Sequence, residues 1–147
     1  MRYSFITAAA KHLSLVEIDA WASNQHEFNG VSALRKMFGN SKCLFNVDFV
    51  YYNETGEVIH ECGNVTWYDA RLENPTRTEY RLYYSQNNVV KQANVNDLLI
   101  VGKKVDNTLS IIIAKNGCRC YNLFMDRFRL NYINTSYEIS DRISVNL

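Results

Sequence analysis

From residue 43 onward, apolar and polar positions alternate in short bursts separated by turn residues. CLFNVDFVYY and VIHECGNVTWYDA read as two strands joined by a tight turn over NETGE, in which Asn53 and Gly56 supply the reversal. TEYRLYYS, DLLIVGKKV and LSIIIAK read as three more strands, the last two joined around Asp106-Asn107. Upstream, SFITAAAKH (4–12) is rich in Ala and predicts a short helix, and LSLVEIDAW alternates from Leu13 through Leu15 and predicts a strand. SNQHEFNG (23–30) is a polar loop. VSALRKMFG places Val31, Leu34, Met37 and Phe38 at helical spacing, with Gly39 as the stop. After Cys118 the spacing of Phe124 and Phe128 predicts a further short helix. The pattern as a whole predicts a mainly β domain of about seven short strands with two or three helices, a barrel or sandwich.

Composition sharpens this reading. The 147 residues suit a single domain, 1–147, and 47% hydrophobic content is enough to bury a core. Sixteen basic residues against fifteen acidic leave a formal charge of +1, which excludes a polycation that binds nucleic acid by bulk charge. Any such surface must be local. The opening MRYSFITAAAKHLSL is too weakly apolar for a secretory signal and no run is long enough to span a bilayer, so a cytoplasmic protein with no membrane partner is expected. In that setting Cys43, Cys62, Cys118 and Cys120 are expected as reduced thiols, and the Asn-X-Thr/Ser triplets at Asn53, Asn64 and Asn134 as chance matches.

The stretch TRTEYRL (76–82) carries the most specific chemistry. If it is extended, Arg77, Glu79 and Arg81 share one strand face, and the preceding loop adds Arg71, Glu73 and Asn74. Arginine pairs bidentately with guanine O6 and N7, and glutamate accepts from the cytosine amino group, so the row suits a G·C-rich major groove. The plainer alternative is a set of ion pairs on a solvated sheet, which is common and weak.

An ordered set of pieces surrounds that row: the polar loop ASNQHEFNG, the helix GVSALRKMFG, the strand pair around FNVDFVYYNETGEV, then Trp67-Tyr68, Arg71 and Thr76-Arg77-Thr78-Glu79-Tyr80-Arg81. In this order the chain resembles the amino-terminal effector domain of EcoRII-type type II restriction endonucleases, related to the plant B-three DNA-binding domains. The likeness covers roughly residues 4 to 128, and its specific portion is the run from Trp67 to Leu82. It implies a seven-stranded open DNA-binding pseudobarrel whose two arms, about 23–30 and 69–81, enter the major groove of double-stranded DNA. Carried over residue by residue, one arm comprises Ser23, Asn24, Gln25 and His26, and the other Arg71, Glu73, Asn74, Arg77, Glu79 and Arg81. Arg77 and Arg81 are then expected on guanines, Glu79 on cytosine, and Asn24 or Gln25 on adenine or phosphate. Arg35, Lys36, Lys103 and Lys104 are candidate phosphate contacts, though a solvated helix face and turn account for them equally well. The resemblance also suggests a 5′-CCWGG site, a monomeric isolated domain and a prokaryotic cytoplasm.

A complete nuclease needs a carboxylate cluster with a nearby Lys, or a His-based set, to activate water. Neither is legible, and His12, His26 and His60 read as isolated. The expectation is therefore no catalytic residue here, with catalysis and its Mg2+ on a nuclease domain elsewhere in a parent chain. His60-x-Cys62 and Cys118-x-Cys120 offer four zinc ligands if both segments are extended, but the one-residue spacing is shorter than usual, so buried thiols are preferred and no metal is assigned. Two rivals stay open. Tyr51, Tyr52, Tyr83 and Tyr84 are placed to line a barrel cavity for a small ligand or sugar, and an exposed strand edge is a possible protein-interaction surface.

Overall fold

The computed structural model describes residues 1–74, 76–130 and 136–147. Pro75 and Asn134 lie outside the described residues. The elements are β1 (Arg2–His12), α1 (Leu15–Ala22), β2 (Glu27–Gly30), α2 (Ser32–Phe38), β3 (Cys43–Tyr52), β4 (Val58–Asp69), β5 (Tyr80–Tyr84), α3 (Asn88–Lys91), β6 (Leu98–Lys103), β7 (Leu109–Ala114), α4 (Arg119–Phe128) and β8 (Glu138–Asn146). The described strands form one open mixed sheet of eight, in the order β2-β5-β4-β3-β7-β6-β1-β8. The expected count of seven was one short. Three of the eight, β1, β2 and β8, were not read as strands in the sequence; β8 follows α4 and pairs antiparallel with β1. The β3–β7 pair is parallel, and the remaining neighbours run antiparallel.

Two apolar cores lie against this sheet. One gathers Leu13, Phe28, Leu34, Phe49, Trp67 and Tyr84 with Leu99, Ile111 and Ile113. The other joins Tyr3, Phe5, Val50 and Tyr52 to Ile100, Ile112 and the buried face of α4, Tyr121, Phe124 and Phe128. β6 and β7 run between them and are buried on both faces, which is why LLIV and LSIIIA read as continuous apolar runs.

The first two elements correct the sequence reading, because helix and strand are exchanged. SFITAAAKH is strand, its alanines selected by space: Ala9 faces the first core while Ala8 and Ala10 face the second. Ala8 pairs with Gly102, where an added Cβ would stand 2.5 Å from the Phe5 ring. LVEIDAWA is helix, fixed by a capping box in which the Ser14 side chain accepts from the Glu17 amide and the Glu17 carboxylate accepts from the Ser14 amide. Ser14-x-x-Glu17 was the signal available in the sequence, and the alternation from Leu13 masked it.

Helix α2 and the β3–β4 and β6–β7 hairpins agree with expectation. The Asn53 side-chain oxygen accepts from the amides of Thr55 and Glu57, and Gly56 adopts φ +82°, closing the β3–β4 hairpin. Asp106 takes the same role for Thr108 in the β6–β7 turn. Helix α2 stops at Gly39, also at φ +82°. Among the described residues no helix is long and apolar enough to cross a membrane.

Candidate nucleic-acid interface

The loop from Ala70 to Glu79 is closed at its base by one carboxylate. The Asp69 Oδ1 accepts from the amides of Arg71 and Glu79, both at 2.9 Å, and the Ala70 amide donates to the Glu79 carbonyl at 2.7 Å. The β4–β5 ladder therefore ends at Asp69 and Tyr80. This corrects the expectation of a strand through 76–82: Arg77 and Glu79 belong to the loop, and Arg81 alone of the three sits on the strand. Within the loop, the Asn74 side-chain oxygen accepts from the Thr76 amide and hydroxyl. Asn74 thus shapes the turn, as Asn does by mimicking a backbone carbonyl.

Glu79 still brings the two flanking arginines together. Its Oε2 accepts from Arg71 Nε at 2.8 Å and its Oε1 from Arg81 Nη2 at 2.9 Å. Arg81 Nη1 reaches Glu27 Oε2 at 3.4 Å, and that same oxygen accepts from the Tyr68 hydroxyl at 3.0 Å. Hydrogen bonds from Arg81 and then Arg71 hold the Glu79 carboxyl below its ordinary value, and the same bond from Glu79 holds the Arg81 guanidinium above its own. Both Glu79 oxygens are engaged and Arg81 is spanned by two carboxylates, so neither is free to read a base without breaking a pair. Arg71 is different. Its Nε donates to Glu79 while the side chain stays nearly half exposed, and its two terminal nitrogens carry no hydrogen bond among the described residues. Arg77 and Glu73 are exposed and carry no side-chain partner among the described residues.

The other proposed arm has a separate origin. Asn24 at φ +69° terminates α1, with its amide donating to the Trp21 carbonyl and that of Gln25 to the Ala20 carbonyl, a Schellman arrangement. The Ser23 hydroxyl donates to the Asp19 carbonyl. The side chains of Asn24 and Gln25 are exposed, while the His26 ring leans on Tyr84 at 5.8 Å and its carbonyl accepts from the Tyr84 amide. Residues 27–30, read as loop, form β2. Because Glu27 pairs with Tyr83 and Gly30 with Tyr80, Ser23–His26 lies at the Tyr84 end of β5 and the 70–79 loop at the Tyr80 end. Four residue steps separate the ends, about 13 Å at strand rise.

Aromatic packing fixes the Tyr80 end. The Trp67 and Tyr80 rings stack at 5.2 Å, Trp67 Nε1 donates to the Gly39 carbonyl, and the Tyr80 hydroxyl donates to the Asn40 carbonyl at 2.7 Å. Arg35 lies over the Tyr80 ring at 4.6 Å and donates to the Asn40 side chain. Arg35 is therefore a structural strut, whereas Lys36 on the same helix is exposed. Lys42, exposed in the adjoining segment, was missed by sequence reasoning, as was Lys91, which joins Asn24 and His26 around a shallow pocket. Lys103 and Lys104 are engaged elsewhere: Lys103 Nζ is 3.5 Å from the Met37 carbonyl, and Lys104 Nζ is 3.1 Å from Asp48 Oδ2.

The remaining sequence candidates separate cleanly. Tyr51, Tyr52 and Tyr84 are packed into the two cores, and Tyr83 is exposed. Burial pushes the Tyr51 hydroxyl up to about 12. Cys118 and Cys120 are buried free thiols, the first capping α4 and the second in its first turn. His12 is buried against the Tyr121 hydroxyl at 2.8 Å. His60 is not isolated as expected: it shares a face with Asp48 and Cys62.

Against known proteins, no family model matches the chain and no curated protein matches it. Among solved structures the fold is similar to the N-terminal domain of Helicobacter pylori LlaJI.R1, with a TM-score of 0.56 and 9% sequence identity over 91% of this chain and 97% of that one. At this identity the likeness is one of fold.

Proposed function

We propose that the chain is a sequence-specific double-stranded DNA-binding domain of a restriction system, gripping the major groove between the 70–79 loop and the Ser23–His26 segment. The observation that carries this reading is the Glu79-anchored Arg71. A guanidinium fixed through Nε presents its two remaining nitrogens as a fork with little freedom left to lose, the form in which arginine reads guanine O6 and N7. Arg77, exposed on the same loop, is the second reader. Glu79 and Arg81 support them, a change from the direct base contacts suggested by the sequence. The roughly 13 Å between the two ends of β5 is close to the major-groove width of about 12 Å. LlaJI.R1 is a restriction-related protein, and its N-terminal domain shares this fold, which favours DNA as the partner.

On this reading the chain recognises DNA without cutting it, and cleavage with its Mg2+ belongs to a nuclease domain elsewhere in a parent protein. The G·C-directed arginines are compatible with a 5′-CCWGG site. The test is fluorescence anisotropy with a 5′-CCWGG duplex and a scrambled one at physiological salt, for wild type, Arg71→Ala and Arg77→Ala. A preference lost in both variants supports the assignment; equal binding in all cases removes it.

A further inference from the structure

Away from the two arms, the sheet face that carries the second core also brings together three side chains of the kind that bind transition metals. Asp48 on β3 is the direct cross-strand partner of Cys62 on β4, and His60, two residues before Cys62, projects from the same face. Their donor atoms are mutually close: Cys62 Sγ to Asp48 Oδ1 is 3.3 Å, His60 Nε2 to the same oxygen 3.4 Å, and Cys62 Sγ to His60 Nε2 3.9 Å. Zinc bonds of about 2.3 Å to sulfur and about 2.0 to 2.1 Å to nitrogen or oxygen place tetrahedral ligands about 3.3 to 3.6 Å apart. The three donors thus already stand near the corners of one face of a zinc tetrahedron.

We propose that Asp48, His60 and Cys62 bind one tetrahedral divalent transition-metal ion, Zn2+ by the chemistry of the donors, with the fourth position open. The ion takes Asp48 Oδ1, His60 Nε2 and Cys62 Sγ, and the thiol proton leaves to solvent. Lys104 occupies Asp48 Oδ2 at 3.1 Å, so the carboxylate binds through one oxygen and its surplus charge is already partly balanced.

A second observation points to a ligand at the same place. Ser110 on β7 is the cross-strand partner of Asp48 on its other side, and so projects from the same face. It is 1% exposed, and its hydroxyl has no hydrogen-bond partner among the described residues. Buried hydroxyls are rarely left in that state. Asp48, His60 and Ser110 line one open cleft of about 550 Å³, whose rim includes Arg2, Lys104 and Arg142. The open coordination position belongs to a water or small anion entering there.

A Cys-His-Asp relay does not fit these groups, because it needs the two histidine nitrogens on different partners, whereas His60 Nε2 is the atom near both Cys62 and Asp48. Binding the metal would clip β3 to β4 independently of whether the arms hold DNA.

Titration of the tag-free, metal-stripped protein with Co2+, followed by absorption, tests the site. One equivalent should produce a thiolate-to-cobalt charge-transfer band and the intense visible bands of tetrahedral cobalt, both removed by one equivalent of Zn2+. Cys62→Ser should abolish the charge-transfer band, and Cys43→Ser should leave it. Asp48→Asn and His60→Ala should each weaken binding by more than about tenfold, the lower range even for substitutions outside the coordination sphere. Circular dichroism of the metal-free variants separates lost binding from lost folding. As an independent readout, Zn2+ should raise the melting temperature of wild type but not of Cys62→Ser. A charge-transfer band that is absent in folded wild type, or that survives Cys62→Ser, would overturn the proposal.

Discussion

Glu79 Oε2 accepts from Arg71 Nε at 2.8 Å, and on the proposed reading this bond orients the exposed Arg71 toward the groove. Its consequence is a separation of roles within one ion-paired row. Arg71→Ala should cost specific DNA binding about 1 to 3 kcal/mol, the worth of a bidentate base contact. Glu79→Gln should weaken discrimination between sites more than affinity for non-specific DNA, since it loosens the reader without removing its charge. Anisotropy titrations with matched and mismatched duplexes separate the two outcomes.

The same pair predicts a pH dependence. Arg81 and Arg71 hold the Glu79 carboxyl below its ordinary value, so the stabilisation of the loop is fully present above the unfolded-state value of about 4.3 and is lost as pH falls through the folded value. The Glu79 carboxyl carbon, followed by NMR, should titrate below the exposed glutamates of the chain. Arg81→Ala, which removes the largest cause, should move that midpoint upward.

Gly30 tests how closely β2 is laid against the aromatic platform. A Cβ at this position would collide with the Tyr80 carbonyl oxygen and stand 2.7 Å from the Trp67 ring. Neither a carbonyl in a paired strand nor a fully buried ring can withdraw cheaply. Gly30→Ala should therefore destabilise the fold by about 1 to 3 kcal/mol in chemical denaturation, as overpacking does.

Asp97 is a buried clamp outside the proposed interface. Its two carboxylate oxygens accept from the amides of Asn94 and Asn116 at 2.9 and 3.1 Å, tying the segment before β6 to the one before α4. Asp97→Ala leaves both amides without that acceptor and should cost at least about 2 kcal/mol of unfolding free energy.

The capping box of α1 makes a smaller prediction. Ser14→Ala removes the acceptor for the Glu17 amide and should lower stability by about 1 kcal/mol, read from the shift in denaturation midpoint.

What was legible in the sequence followed the strength of local signals. The β3–β4 hairpin could be read because Asn53 and Gly56 are a strong turn pair between alternating strands, and α2 because its apolar spacing ends on a glycine. The first twenty residues misled because the alanines of β1 serve two cores at once, a property of the folded neighbourhood and not of local propensity. The chemistry divided similarly. That Glu79 stands among arginines was visible; that its partners would be Arg71 and Arg81 instead of Arg77, and that it would leave the strand, was not, since this depends on Asp69 capturing the amides of Arg71 and Glu79, eight residues apart, at the loop closure. His60 looked solitary because its partner Asp48 lies across a strand pair, in a register no spacing within β4 could show.

The most direct test of the central claim makes no assumption about the site. Duplexes bound by the purified chain at physiological salt can be selected from a randomised pool and sequenced, for wild type, Arg71→Ala and Arg77→Ala. The account predicts enrichment of one short motif containing G·C pairs, with preference at particular positions relaxed by each substitution and affinity falling as salt is raised. A wild-type selection that enriches no sequence, and is unchanged by either substitution, would contradict it.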